Sequence, residues 1–478
     1  MILIFALILR LIFFTGIDMS DSVGYAGYAN MLAKNEPIEE THYNGLRLGI
    51  LFPVSLLYNI FGVNEFSSNI LILLISLSSI ILIYKFGKLL FNDKVGLLSA
   101  FLLSFFPWDV VYATQLLTDL PAAFFVAVSI YFFLKSEMIR DSAKSNIYCL
   151  FSGLWLGIAF LTKELYLIIG LFFISYILYK KKIKIKYFWI ALGFILIFSF
   201  ELIFFFNTTG DPFYKYSAIS AYWTPVLSVT NHYVREDFPS ALFHYFYLIF
   251  TDDFLVIFYS LIFIAIVYCI VNKKKETYTL LFWFIPVFFY LNFGSISIAK
   301  YILIPASPRH LFILSIPAIL LLSFFLLQRD QIIKRILMPS MLILLLTTSV
   351  GNVYVSEFRF SVDDEKEAYN YLKTLPNKQI YTDYKTIRIF NYLSGFKSNN
   401  TKSFHNYEFL DPENTYALNL SKAKDSYVVI NWNLINFFVS SKKGIELPDE
   451  IYNIPENWIL KKEIGKGKDK IMIYYASN

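Results

Sequence analysis

Ser67-Ser68-Asn69-Ile70-Leu71-Ile72-Leu73-Leu74-Ile75-Ser76-Leu77-Ser78-Ser79-Ile80-Ile81-Leu82-Ile83-Tyr84 carries no charged side chain. Eighteen such residues as a helix are long enough to cross the hydrocarbon of a bilayer, where every backbone group must be satisfied within the segment. Working outward, similar apolar runs occupy 2–17, 95–107, 119–134, 147–162, 165–179, 188–206, 254–271, 278–293, 309–327 and 333–351. With 67–84 this makes about eleven candidate spans, of which 95–107 and 119–134 are short. The whole chain agrees: of its 478 residues 57% are hydrophobic and 16% charged, and its mean hydropathy is +0.54. A water-soluble fold carries roughly 25% charged residues. The fold class is therefore a polytopic α-helical membrane protein. The net charge of +6 lies in short loops between apolar runs, which excludes a nucleic-acid surface. Cys149 and Cys269 lie in or beside apolar runs, and no disulfide framework is expected.

Lys and Arg in short loops set orientation. Lys85–Lys94, Lys135–Lys144, Lys180–Lys186, Lys273–Lys275 and Arg329–Arg335 are basic and alternate with poorer loops, and 107–118 has neither residue. This predicts a cell-membrane protein with a cytoplasmic N-terminus. Its longer outer loops are 18–66 and 207–253, and its C-terminal part lies outside the cytoplasm. The sequons at Asn207, Asn399 and Asn419 fall on the same predicted outer side. The membrane part is 1–351. Beyond it the composition turns polar, and 352–478 reads as a small soluble α/β domain. It has helices over Glu365–Thr374 and Tyr384–Leu393, strands over Gln379–Thr382 and Ser426–Ile430, and a hairpin of Trp458–Ile464 and Lys470–Tyr475 turning at Gly465–Gly467.

Charged residues cluster at the predicted outer helix ends. Asp18 and Asp21 follow the first span. Asp21 is placed to cap a helix over Ser22–Ala33, and either carboxylate can also act as a general base or supply a metal ligand. Arg47 precedes an apolar stretch, as an interfacial anchor does. Arg10 lies inside the first span, where a charge needs an internal partner. Gln115 and Asp119 sit in the second outer loop, with Thr118 or Asp119 as the cap of the next helix and Pro121 in its first turn. Lys163 and Glu164 join two apolar runs and can pair with each other, or Lys163 can face an anion. Arg309 and His310 open a late span; a guanidinium fork suits phosphate, and an entry cation also suits lipid head groups. Together the acids Asp18, Asp21 and Asp119 and the cations Arg47, Lys163 and Arg309 outline a place for an acceptor hydroxyl and an anionic lipid head group.

These stretches resemble the GT-C superfamily of membrane glycosyltransferases, and within it the group of protein O-mannosyltransferases and aminoarabinose transferases. The resemblance spans roughly 1–330. It rests on Arg10-Leu11, Asp18, Asp21-Ser22, Tyr25 and Tyr28-Ala29; on Arg47-Leu48-Gly49, Pro53 and Phe61-Gly62; on Leu117-Thr118-Asp119-Leu120-Pro121; on Gly157-Ile158-Ala159-Phe160-Leu161-Thr162-Lys163; and on Pro308-Arg309-His310 with Pro317-Ala318. It implies a sugar donor on polyprenyl or dolichyl phosphate, an acceptor on protein, lipid or glycan, and a first-loop Asp as base. Arg47, Lys163, Arg309 and His310 would receive the donor phosphate, with Gln115 and Asp119 near the acceptor or sugar. No cofactor is required, although a divalent metal is compatible. The adjacent Asp-Glu pair of eukaryotic mannosyltransferases is absent; Asp18 and Asp21 stand three apart, so the base is one of two residues. A lipid-linked sugar flippase or polymerase would share the donor but not the outer base. A secondary transporter would predict internal repeats and mid-membrane charges, and a receptor would act through its exposed domain.

Overall fold

The computed structural model describes residues 1–37, 43–229, 240–295, 301, 303–328, 331–397, 404–406, 408–410, 416–418, 423–441, 454–467 and 469–477. The sequons at Asn399 and Asn419, together with Lys300, Arg329 and the outer-loop segment 230–239, lie outside them.

The helices of the first half are α1 (Ile2–Ile12), α2 (Asp21–Ala33), α3 (Leu48–Phe61), α4 (Glu65–Leu90), α5 (Asp93–Ser104), α6 (Pro107–Tyr112), α7 (Asp119–Met138), α8 (Ser142–Thr162), α9 (Gly170–Lys180), α10 (Phe188–Thr209) and α11 (Tyr214–Val229). They are followed by α12 (His244–Thr251), α13 (Val256–Val271), α14 (Tyr278–Phe293), α15 (Phe312–Leu327) and α16 (Gln331–Phe360). Among the described residues six stretches are long and apolar enough to cross a bilayer: Glu65–Leu90, Asp119–Met138, Ser142–Thr162, Ile185–Thr209, Pro308–Leu327 and Met338–Val355. The run at 95–107 becomes the twelve-residue α5 followed by the short α6. At 1.5 Å per residue α5 covers about 18 Å, well short of a hydrocarbon core of about 30 Å.

Local chemistry sets several boundaries. The Asn64 side chain accepts from the Ser67 amide at 3.0 Å while the Ser67 hydroxyl accepts from the Asn64 amide at 3.1 Å, a reciprocal cap that starts α4. Pro107 occupies the first turn of α6, where its missing N–H is harmless. Helix α15 is buried along its whole length, the central post of the bundle. Of its apolar side chains helix α10 buries only Phe205, as a lipid-facing helix does. It packs against α8 through small residues: a Cβ on Gly153 would lie 2.8 Å from the Ile190 carbonyl carbon, so the backbones touch. Arg10 is fully buried, and its partner is Asp109 on α6 at 2.6 Å, with Ser76 of α4 bonded to both.

Helix α16 does not end where the composition turns polar at 352. It continues to Phe360 and leads into the C-terminal domain of α17 (Asp363–Thr374), β1 (Ile380–Thr382), α18 (Tyr384–Leu393), β2 (Phe404–Asn406), β3 (Glu408–Leu410), β4 (Tyr416–Leu418), β5 (Ser426–Asn431), α19 (Trp432–Ser441), β6 (Trp458–Lys466) and β7 (Asp469–Ala476). Five strands form one sheet in the order β2-β1-β5-β7-β6; β1 is parallel to β2 and β5, and β7 is antiparallel to β5 and β6. Every residue of the central β5 is buried, as its unbroken apolar run predicts. The hairpin turns later than the sequence suggested: Gly465 pairs with Lys470 and Lys466 with Asp469. Gly467 takes the positive φ of +72° that a tight turn needs, so pairing extends through Lys466.

Candidate active site

One end of the membrane helices and the first loop enclose a cavity of about 860 Å³. The Asp21 carboxylate enters it from the first turn of α2. Asp21 is not the cap foreseen from the sequence. Ser20 holds that position, and no side chain caps the helix. The Asp21 carboxylate instead accepts from Arg309 Nη1 at 2.9 Å and from Asn44 Nδ2 at 3.3 Å. Asp18 does the local work: its carboxylate accepts from the Ser20 amide at 3.0 Å and from the Ser22 hydroxyl. Asp18 is not among the residues lining the cavity.

Arg47 ends a single 3₁₀ turn, Tyr43–Leu46, immediately before α3. It is buried, not an exposed interfacial anchor, because the loop folds inward. Its Nη2 reaches Glu164 Oε1 at 2.9 Å, its Nη1 donates to Tyr25 and Asn44, and its guanidinium lies 4.8 Å from the Tyr43 ring centroid. Lys163, at the end of α8, does not pair with Glu164; its Nζ bonds Asp119 at 2.5 Å. The two neighbours diverge because Lys163 has extended backbone (φ −158°, ψ 112°) before the 3₁₀ turn Glu164–Ile169 begins. Helices α3 and α8 meet beside these side chains: a Cβ on Gly49 would sit 2.7 Å from the Thr162 amide nitrogen. Neither Thr118 nor Asp119 caps α7 through its side chain, and Asp119 is committed to Lys163.

Arg309 and His310 lie on the 3₁₀ turn Pro308–Leu311 that opens α15. His310 Nδ1 pairs with the Tyr245 hydroxyl at 2.7 Å. Among the described residues every guanidinium or ammonium lining the cavity is thus matched: Arg47 with Glu164, Lys163 with Asp119, Arg309 with Asp21. The Lys163–Asp119 pair is buried and Arg47 is buried against a partly exposed Glu164, whereas Arg309 and Asp21 keep about a third of their side chains exposed. Burial pushes the Asp21 carboxyl up, but Arg309 and Arg47 outweigh it and hold the group below the usual carboxylate range. Burial likewise opposes ionisation of Glu164, and Arg47 with Lys215 pulls it down to about 2. Arg47 Nε and Glu164 Oε2 are buried without a hydrogen-bond partner, so the site retains polar capacity.

Asp21, Arg47, Asp119, Lys163, Arg309 and His310 all line the cavity. Gln115 does not. It is buried in the turn before α7, with neither side-chain polar atom bonded. Among the described residues no group of three or more His, Cys, Asp and Glu side chains could hold a metal ion. The Asp18 and Asp21 carboxylates, candidate ligands by spacing, are engaged by separate partners. Sequence reasoning missed Tyr43 and Asn44 on the 3₁₀ turn, Tyr216 on α11 and Tyr245 on α12, because a single aromatic or amide gives no local signal of a partner far along the chain. It also missed the fully buried pair of Glu201 and Lys215 at 2.6 Å, in which Tyr216 shares Glu201 at 2.9 Å and also lines the cavity.

Residues 48–204 match the family model of dolichyl-phosphate-mannose-protein mannosyltransferases. No curated protein sequence matches the chain. Among solved structures, ArnT from Cupriavidus metallidurans in the apo state is similar with a TM-score of 0.63 at 13% identity, covering 98% of this chain and 96% of that one. The same protein bound to undecaprenyl phosphate gives 0.61 at 12%, with the same coverage. The oligosaccharyltransferase AglB from Archaeoglobus fulgidus, in complex with an inhibitory peptide and a dolichol-phosphate, gives 0.53 at 9%, covering 91% of this chain and 69% of that one. At such identities the likeness establishes the fold, including the small C-terminal sheet domain. The shared fold and the matched segment together agree with the resemblance read from the sequence.

Proposed function

We propose that this protein is a membrane glycosyltransferase that moves a sugar from a polyprenyl or dolichyl phosphate to an acceptor hydroxyl on the outer membrane face. The observation that carries the reading is the convergence of Asp21 with Arg47, Lys163, Arg309 and His310 in one cavity. The apolar wall of that cavity includes Leu167 and Ile174, which are also exposed on the helical surface. A cavity open toward lipid on an apolar side and lined by cations suits a phosphate on a long apolar tail. Two of the similar structures, one bound to undecaprenyl phosphate and one to dolichol-phosphate and an inhibitory peptide, support the same donor class. The basic loops at the opposite helix ends support an outer location for the cavity and the C-terminal domain, with a cytoplasmic N-terminus.

In the reaction the acceptor oxygen attacks the anomeric carbon from the face opposite the lipid phosphate. The C–O bond to phosphate breaks as the new glycosidic bond forms, which inverts the anomeric centre. The acceptor proton passes to the Asp21 carboxylate, and the bonding pair leaves with the lipid phosphate. Arg309, Lys163 and Arg47 stabilise the charge that grows on that phosphate, more strongly in a low-dielectric wall than in water. Arg309 is the first to be offered to the donor, because its pair with Asp21 is the most exposed of the three. A phosphate that draws Arg309 away also frees the base.

The test uses membranes of a strain deleted for the chain, supplied with lipid-linked sugars extracted from the parent, with products read by mass spectrometry. Asp21→Asn abolishes transfer at normal protein levels, whereas Asp18→Asn retains most of it. Full activity of both variants refutes the assignment of the base. Arg309→Ala raises the donor requirement far more than the acceptor requirement; an equal effect on both refutes a phosphate role.

A further inference from the structure

The C-terminal domain is not a loose appendage. Val362, Ile389 and Tyr392 belong to the same apolar core as Val23 and Tyr25 of α2. Polar contacts surround this shared core. The Tyr392 hydroxyl pairs with Ser68 at 2.9 Å, Lys366 with Glu65 at 3.0 Å, and Lys34 with the Phe396 carbonyl at 3.1 Å.

One contact touches the machinery of the cavity. Arg388, on α18, donates from Nη2 to the Ser20 carbonyl at 3.1 Å. That carbonyl lies in the same rigid peptide plane as the Asp21 nitrogen, so fixing one fixes the other. The start of α2 lacks a side-chain cap; Asp18 holds the Ser20 amide and the Ser22 hydroxyl, and Arg388 holds the Ser20 carbonyl. The sequence also leaves room for the guanidinium: a Cβ on Gly24, one turn along α2, would meet Arg388 Nη2 at 2.7 Å.

We infer that Arg388 is a positioning residue, which holds the Ser20–Asp21 peptide plane from the C-terminal domain and so sets the Asp21 carboxylate against Arg309. This rests on the reading of Asp21 as the base. It gives the C-terminal domain a part in the chemistry although none of its described residues lines the cavity.

Full-length Arg388→Ala, Gly24→Ala and the double variant are compared with the parent in the membrane transfer system, with the extracted lipid-linked sugars titrated as donor. Arg388→Ala lowers the maximal rate roughly tenfold, the scale of a modest misplacement of a reacting group. It leaves the half-saturating donor level within about twofold and moves the acid limb of the rate at low donor, where Arg309 still faces Asp21, to higher pH. A surface contact that only stabilises the fold would move neither the pH limb nor the maximal rate of the folded fraction. Gly24→Ala displaces the guanidinium and lowers the rate in the parent, yet adds nothing in the Arg388→Ala background, since the two act through one contact. Arg388→Lys, which keeps a donor, recovers part of the loss. The inference is overturned if Arg388→Ala keeps the parental rate and pH limb while Asp21→Asn is inactive, or if Gly24→Ala is equally harmful in both backgrounds. Full activity of Asp21→Asn overturns the reading of the base, and the inference with it.

Discussion

Lys163→Met separates structure from function at the cavity. The Lys163 and Asp119 side chains are only 8% and 4% exposed, and their charged atoms lie 2.5 Å apart. At an effective dielectric constant of 20 the attraction over that distance is about 7 kcal/mol, most of it offset by the desolvation of both ions. Removing one partner leaves the other buried and unpaired, at about 3–5 kcal/mol. Arg309 also acts on Asp119 electrostatically, which places the loss near the lower end. Asp119→Asn alone strands Lys163 and is destabilising on the same scale. The double variant Lys163→Met/Asp119→Asn strands neither and recovers most of the stability, to within about 1–2 kcal/mol of the parent. Thermal unfolding of purified protein in lipid nanodiscs gives the stability; the membrane assay gives the transfer. The expected pattern is low stability and low transfer for each single variant, and restored stability with transfer still depressed at least about 100-fold for the double, the usual scale for a lost charge-stabilising donor. A double variant that regains both stability and transfer refutes the role of Lys163 in donor binding and leaves the pair a purely structural one. A Lys163→Met protein as stable as the parent refutes the burial argument.

Three further outcomes are expected. Arg309 and Arg47 hold the Asp21 carboxyl below its ordinary range against burial, so the base is lost only as pH falls through that depressed value; Arg309→Ala lets burial prevail and moves the acid limb of the residual rate to higher pH, and an unmoved limb counts against the pairing. Gly49→Ala forces a methyl against the Thr162 backbone between Arg47 and Lys163 and costs about 1–3 kcal/mol, with transfer falling although no polar group is removed; unchanged melting and rate would contradict the close approach. Glu365 in α17 is buried beside Asn431, and burial raises its carboxyl from 4.5 to about 7. The ionised form is the disfavoured one in the folded state, so stability of the C-terminal domain is greatest below pH 4.5, falls by about 3 kcal/mol as pH rises through 7, and then levels off; Glu365→Gln abolishes that slope in melts of the full-length protein between pH 5 and 8.

Spans and pairings differ in how legible they are. The run 67–84 announces α4, and Tyr384–Leu393 announces α18 residue for residue, because a bilayer or a domain core selects for apolar period and length that one segment displays by itself. The cap assigned to Asp21 and the pairing of Lys163 with Glu164 read equally well locally, and the fold overrode both. Arg309, 288 positions along the chain from Asp21, competes for that carboxylate, and Asp119 takes Lys163 from its neighbour. Gln115 shows the converse: a polar residue beside a motif that the fold turns away from the cavity.

The amino-acid sequence by itself therefore determined the membrane class, the longest apolar helices, the α/β character of the tail and the set of charged residues at one end of the bundle, all of which follow from local hydrophobicity and composition. Only the tertiary structure decided which acid meets which base, that Asp21 and not Asp18 reaches the cavity, and that Arg388 touches the peptide preceding Asp21. Ion pairing inside a low-dielectric bundle depends on distances between segments far apart along the chain, and no local pattern encodes those distances.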